Sequence, residues 1–279
     1  MKKRYKVAFA LLIPLLAVFG IYDFYWTLPI EGAYDTSPIS YPVIDRVELK
    51  NRLSQLDSEK LEQMKLSGME ILKWQNILNK VDATVVSELV PEFDPFFVKE
   101  HYPYDEVYDR ETHSLYYYHS HRSGEHGHFH LFFCDEEVLD QHEPLNSWDE
   151  KKASAHLLAI SVHPDGTPLG LFITNQWVTP KEWWYSKETI ADLVDQFEIT
   201  HSYPSWPTNQ WLNHMLRLFR PQIEDVLAQR DLTLEESELP LEKALRNKKV
   251  EILSQVPVSV EMQLEVIHEL LVERPHHLK

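Results

Sequence analysis

Glycine is scarce in this 279-residue chain. Seven occur, where average usage of ~7% would give roughly twenty. No Gly-x-Gly-x-x-Gly and no Gly-Lys-Ser/Thr is written anywhere, which removes both common nucleotide cradles. Cysteine is rarer still. Cys134 stands alone, so intrachain disulfides, cysteine-based zinc ribbons and iron–sulfur clusters are excluded. Basic side chains are also in deficit, with 27 Lys+Arg against 44 Asp+Glu and a formal charge of −17. Such a chain repels a polyanion, so nucleic acid is not an expected partner. What is plentiful is apolar and aromatic: 43% hydrophobic and 12% aromatic residues are ample for a packed core and exclude disorder throughout.

One long apolar run exists, and it is N-terminal. Lys2, Lys3, Arg4 and Lys6 precede an uncharged stretch from Val7 to Tyr22, the layout of a secretory signal. Phe24, Tyr25, Trp26 and Leu28 continue it in the manner of an interfacial aromatic belt. Val18-Phe19-Gly20 is the best small-x-small cleavage site on offer. Residues 1–28 are therefore expected to be a membrane anchor or signal peptide, and the proline-bearing 29–46 a stalk. The expectation is a single-pass protein of the bacterial inner membrane with its body outside the cytoplasm. The alternative is a secreted or periplasmic chain after signal cleavage.

Residues 47–279 are expected to form one α+β domain. From Val47 to Val90 the pattern is helical: Leu53, Leu56, Met64, Ile71, Leu72 and Leu78 fall near one stripe, and Asp82 is placed to cap a short helix ending near Leu89. Residues 91–112 look like loop. Leu115–His121 and His126–Cys134 then read as two strands around Arg122-Ser123-Gly124-Glu125, and His156–Val162 with Leu169–Thr174 as a second hairpin. Helical spacing returns at Ser186, continues through a stripe interrupted by Pro221, and closes after Ser259; Val250–Leu253 is a candidate short strand. Helices, strands and helices again predict a central antiparallel sheet of His- and aromatic-rich hairpins, flanked by N- and C-terminal helices.

Seven of fifteen histidines lie between 101 and 130. In a strand, alternate residues share a face. His119 and His121 then point with Tyr117, while His126, His128 and His130 share a face on the return strand. A four-residue loop pairs His119 with His128 and Tyr117 with His130, so that all five imidazoles converge; a three-residue loop puts the two sets on opposite faces. Converging imidazoles suit a divalent transition metal, zinc, iron or manganese. The expected metal ligands are His119, His121, His126, His128 and His130. Glu125 is the expected catalytic carboxylate, and Tyr117, Arg122, Asp105, Asn175 and Trp177 line the pocket. The best functional reading is a metal-dependent enzyme of hydrolase or oxygenase type. The alternatives are a non-catalytic envelope module that binds a small molecule or protein, and a purely structural domain.

The spacing His119-x-His121-x-x-x-Glu125 resembles the first metal motif of cupins, although the flanking glycines and second histidine motif of that family are absent. A longer resemblance rests on His101-Tyr102-Pro103, Asp105, Tyr108-Asp109, Tyr116-Tyr117-Tyr118-His119-Ser120-His121, Glu125-His126-Gly127-His128-Phe129-His130, His156-Leu157-Leu158-Ala159-Ile160 and Asn175-x-Trp177-Val178-Thr179. On these residues the chain resembles a bacterial family of uncharacterised proteins, a domain of unknown function, from about Met69 onward. The resemblance implies no activity, ligand or catalytic residue.

Overall fold

The computed structural model describes residues 40–90, 100–121, 126–147, 154–163, 165–179 and 183–274. All of them fall in one compact unit, Asp35–Lys279. No helix among them is long and apolar enough to cross a membrane. The expected anchor and most of the expected stalk lie outside the described residues.

Two helices open the unit. Asp45 caps α1 (Arg46–Ser54) by accepting from the Val47 and Glu48 amides, and Asp57 caps α2 (Ser58–Asn79) through the Lys60 amide. Short acidic side chains at these positions satisfy amides that have no partner within the helix. Leu53, Leu61, Met64, Ile71 and Leu78 are buried along one stripe. The expected cap at Asp82 is not used. Its φ is +56°, and Thr84 instead accepts from the Val86 and Ser87 amides to head a run of turns.

Six antiparallel strands follow one another across a single sheet: β1 (Tyr102–Tyr108), β2 (Ser114–His119), β3 (Gly127–Phe133), β4 (Ala155–Val162), β5 (Pro168–Thr174) and β6 (Ile252–Pro257). The short α3 (Glu136–Leu139) follows β3. Between β5 and β6 run α4 (Lys187–Gln196), α5 (Trp206–Leu218), α6 (Arg220–Glu236) and α7 (Leu241–Leu245), and α8 (Val260–Glu273) ends the described chain. Ser186 and Ser259 cap α4 and α8, as the sequence suggests. The long apolar stripe divides at Phe219, with Pro221 in the first turn of α6 where its missing N–H costs nothing. The one strand read as loop is β1. It lies at the sheet edge, carries Pro103, and its register against β2 shifts between Tyr102 and Val107. Proline and a bulge are edge-strand features, and in a sequence they look like loop.

The register sorts side chains into two faces. Tyr118, Phe129, Ile160, Leu171 and Val256 form one row across β2–β6. That face packs on helices: Phe129 lies 5.6 Å from the Trp211 ring of α5, and the Ser254 hydroxyl donates to the Val226 carbonyl of α6. The opposite face carries two other rows, Tyr117–His130–Ala159–Phe172–Gln255 and His119–His128–Ser161–Gly170–Pro257. Tyr41 rests on this second face, its ring filling the space a Cβ on Gly170 would need. Beside it the Gln255 amide donates to the Ser40 carbonyl at 3.3 Å.

Gly127 opens β3, where a Cβ would overlap the Tyr118 hydroxyl and the His119 carbonyl oxygen. The Tyr118 ring cannot swing away freely, because its hydroxyl is bonded to His126. Gly127→Ala should therefore destabilise the protein by about 1–3 kcal/mol, the usual cost of overpacking. The check is a lower urea midpoint with an unchanged slope; a midpoint equal to that of the parent would refute the steric account.

Candidate metal centre

The β2–β3 pairing puts His119 opposite His128 and Tyr117 opposite His130, the register that a four-residue loop requires. His119 and His128 bring their Nε2 atoms to 2.7 Å. His128 and His130 are two apart on β3 and share its face, with ring centroids 4.8 Å apart. One nitrogen from each of His119, His128 and His130 lies within 4.8 Å of the others, so this trio can hold a metal ion. Two nitrogens on a tetrahedral ion at 2.0–2.1 Å stand about 3.3 Å apart. The His119–His128 pair therefore opens by about half an ångström to admit one.

His121 joins the group from beyond the end of β2, its ring 5.0 Å from His119 and 5.1 Å from His128. His126 does not join. Regular β3 pairing stops at Gly127 and the chain bends at His126, so strand alternation no longer applies there. Its Nδ1 meets the Tyr118 hydroxyl at 2.6 Å, and Tyr118 belongs to the helix-covered face. The expectation that five imidazoles of this hairpin converge is corrected to four.

A fifth imidazole comes from β4. Between β3 and β4 the pairing slips, so that Leu131 faces Leu158 while Phe132 faces His156. Leu157 is the extra residue. Without this bulge Phe132 would face Leu157, and His156 would turn toward the helices; with it, His156 reaches the histidine face. Its Nε2 lies 2.9 Å from Nδ1 of His130. The ring is half-buried, and loss of hydration lowers its pKa from the ordinary histidine value to about 3, so it stays neutral and available as an acceptor. With the His130 Nδ1 proton donated to His156, Nε2 of His130 is left to bind a metal, and the His156 Nδ1 proton points to the Thr174 hydroxyl at 3.5 Å. A ligating histidine normally has such a partner for its second nitrogen.

Charge reinforces the neutral state. Two imidazolium rings ~5 Å apart repel by about 3 kcal/mol at an effective dielectric constant of 20, and metal ligation requires the neutral form. Tyr117 lines the group, stacked face to face on His101 at 3.7 Å. His101 is further held by Glu106, 2.8 Å from its Nδ1.

The other expected pocket residues serve elsewhere. Asp105 is exposed on β1 and accepts from the Tyr203 hydroxyl at 2.6 Å. Asn175 is buried and donates to the Ala244 and Val250 carbonyls, and the Trp177 indole donates to the Val250 carbonyl. Both fasten the connection between α7 and β6, and their contacts are those of framework residues. Arg122 and Glu125 lie outside the described residues. A carboxylate the sequence reading passed over does arrive: Glu251, just before β6, puts Oε1 3.9 Å from Nε2 of His121, with both side chains 2% exposed. Across four ~4.8 Å strand spacings a flat sheet would hold these strands about 19 Å apart. The end of β2 and the start of β6 are diagonal corners, and the twist accumulated over four strand steps folds them toward each other across the histidine face.

His156 sets a pH dependence for the metal-free protein. Its folded pKa of about 3 lies below the unfolded value of ~6.5, so the unfolded chain binds the extra proton between them. The stability this group contributes is complete above pH ~6.5 and drains by up to ~1.4 kcal/mol per unit as pH falls toward 3. Urea unfolding of chelator-treated protein at pH 7 and pH 5 measures it, and His156→Gln should flatten the slope. An unchanged slope would refute the assignment.

No curated protein and no solved structure matches this chain. A family model does, and the stretch it matches, residues 66–258, contains all six strands of the sheet and every histidine of the cluster. With well over half of the sequence inside that match, the chain belongs to the family described as a domain of unknown function, DUF6969.

Proposed function

We propose that this protein is a metal-dependent enzyme, of hydrolase or oxygenase type, built on the histidine face of the sheet. The observation that carries the reading is the convergence of His119, His128 and His130, whose ligand atoms all lie within 4.8 Å of one another. The contact between Nδ1 of His130 and Nε2 of half-buried His156 supports it, because a proton shared there supplies the outer partner that fixes a ligand ring. Three neutral nitrogens suit zinc, iron or manganese and leave a coordination position open. A divalent ion there would lower the pKa of bound water toward neutrality or bind an oxidant, and Tyr117, its ring 5.3 Å from that of His130, is the tyrosine proposed for proton handling.

A structural reading has its own support. Phe172 packs its edge on His128 at 5.1 Å, Phe132 lies 5.0 Å from His156, and His128 and His130 are fully buried. Rings packed this closely are also what an imidazole–aromatic core needs. Metal content separates the two. Purified without a histidine tag, the protein should carry stoichiometric metal. His128→Asn and His130→Asn should each abolish the ion at the trio, and His156→Phe should weaken it by ~10–100-fold. His126→Asn should leave it unchanged. Metal-free native protein, with the same substitutions only lowering stability, would favour the structural core.

The basic flank and apolar run at the N-terminus support a second part of the proposal: a single-pass inner-membrane protein whose body faces away from the cytoplasm. Fractionation with N-terminal sequencing tests it. A soluble cytoplasmic product, or a mature chain starting near Ile21, would overturn the anchor.

A further inference from the structure

We infer that the β1 edge of the sheet, together with the connection from α4 to α5, is a binding platform for a neutral saccharide. The inference goes beyond the metal reading and does not depend on it. It starts from where the exposed rings are. Among the described residues four aromatic side chains are exposed: Tyr104 at 54%, Tyr108 at 39%, Tyr203 at 48% and Trp206 at 39%. Two stand on β1, one stands in the connection, and Trp206 is the first residue of α5.

Contacts tie these two segments into one surface. The Tyr203 hydroxyl donates to Asp105 of β1 at 2.6 Å. His201 accepts from the Tyr203 amide at Nδ1 and donates from Nε2 to the Tyr108 carbonyl, both at 3.3 Å. Buried Asp109 accepts from the Thr200 amide and hydroxyl. Asn209 of α5 donates to the His201 and Tyr203 carbonyls, and the Tyr108 hydroxyl lies 2.8 Å from Nδ1 of His113. Rings fixed in advance lose little conformational entropy when a ligand lands on them.

Composition then selects the ligand class. Among the described residues no large aliphatic side chain is exposed on β1 or between α4 and α5, so the exposed apolar area here is aromatic. Every ring also carries a polar group, a phenol hydroxyl or an indole N–H, and the Asp105 carboxylate is exposed among them. The core of a protein interface is depleted in charged residues, which this carboxylate opposes. A polyanion is disfavoured by the chain's formal charge of −17. A neutral sugar ring answers both demands. Its C–H faces stack on aromatic faces, and the hydroxyls at its rim donate to a carboxylate and exchange hydrogen bonds with phenols.

The experiment uses the full-length chain and neutral hexasaccharides of glucose and of N-acetylglucosamine, followed by calorimetry and tryptophan fluorescence. Saturable binding of at least one is expected. Trp206→Ala and Tyr203→Ala should each weaken it by about tenfold or more. Tyr203→Phe keeps the ring and loses only the bond to Asp105, so it should weaken binding less than Tyr203→Ala. Should Tyr203→Ala fail to fold, Trp206→Ala, at an exposed helix start, still decides. No saturable binding at concentrations of about 10 mM, or binding unchanged in both alanine variants, would overturn the inference. A dimer of the parent chain that both substitutions dissociate would assign the surface to a protein partner and overturn it equally.

Discussion

The opposition of His119 and His128 across the β2–β3 ladder is the contact on which the site depends. Side chains alternate along a strand, so a slip of one residue would send one histidine set into the helix-packed core and bring Phe129 to the other side. The neighbouring pairs guard against that slip. Tyr118 and Phe129 are buried together, the Phe129 ring lies against Trp211 of α5, and the Tyr116 hydroxyl donates to Asn209 of the same helix at 2.5 Å. Hydrophobic burial on one face therefore holds the polar face in register. The chemistry is positioned by residues that take no part in it.

Much of this was readable beforehand, for a physical reason. Period-2 patterning and a four-residue loop suffice to define a hairpin register, so the convergence of His119, His121, His128 and His130 follows from local sequence. What could not be read is what local alternation does not control. The bulge at Leu157 turns His156 to the histidine face, and a single extra residue in a ladder leaves no clear mark in composition. The bend at His126 takes that ring away, because the strand ends one residue sooner than its histidine spacing suggests. Glu251 reaches His121 through twist summed over four strand steps, a property of the assembled sheet. Asn175 and Trp177 stand out in the sequence for the opposite reason: amide and indole donors that fasten two carbonyls look like a binding site until their partners are known.

The family match and the folding unit have different edges. Residues 66–258 begin within α2 and stop just before α8, yet Gly68 of α2 has no room for a Cβ because Leu264 of α8 occupies it. Arg46 of α1 reaches Glu265 and Glu269 of α8. These ion pairs are exposed and contribute little by themselves; the buried Leu53, Val266 and Ile267 beneath them supply the apolar contribution. The sheet and its histidines belong to the shared family core, while the helices that close its far side extend past it at both ends.

The contact between Tyr41 and Gly170 has a practical consequence. Gly170 sits in the same row as His128, two strands away, and Tyr41 covers that row from a position five residues before α1 begins. A chain shortened to start at Asp45 would keep every helix, cap and strand of the described residues. It would nonetheless have lost the ring that covers this row of the histidine face. The helices and strands of the described unit, and the cover of its histidine face, therefore have different N-terminal boundaries.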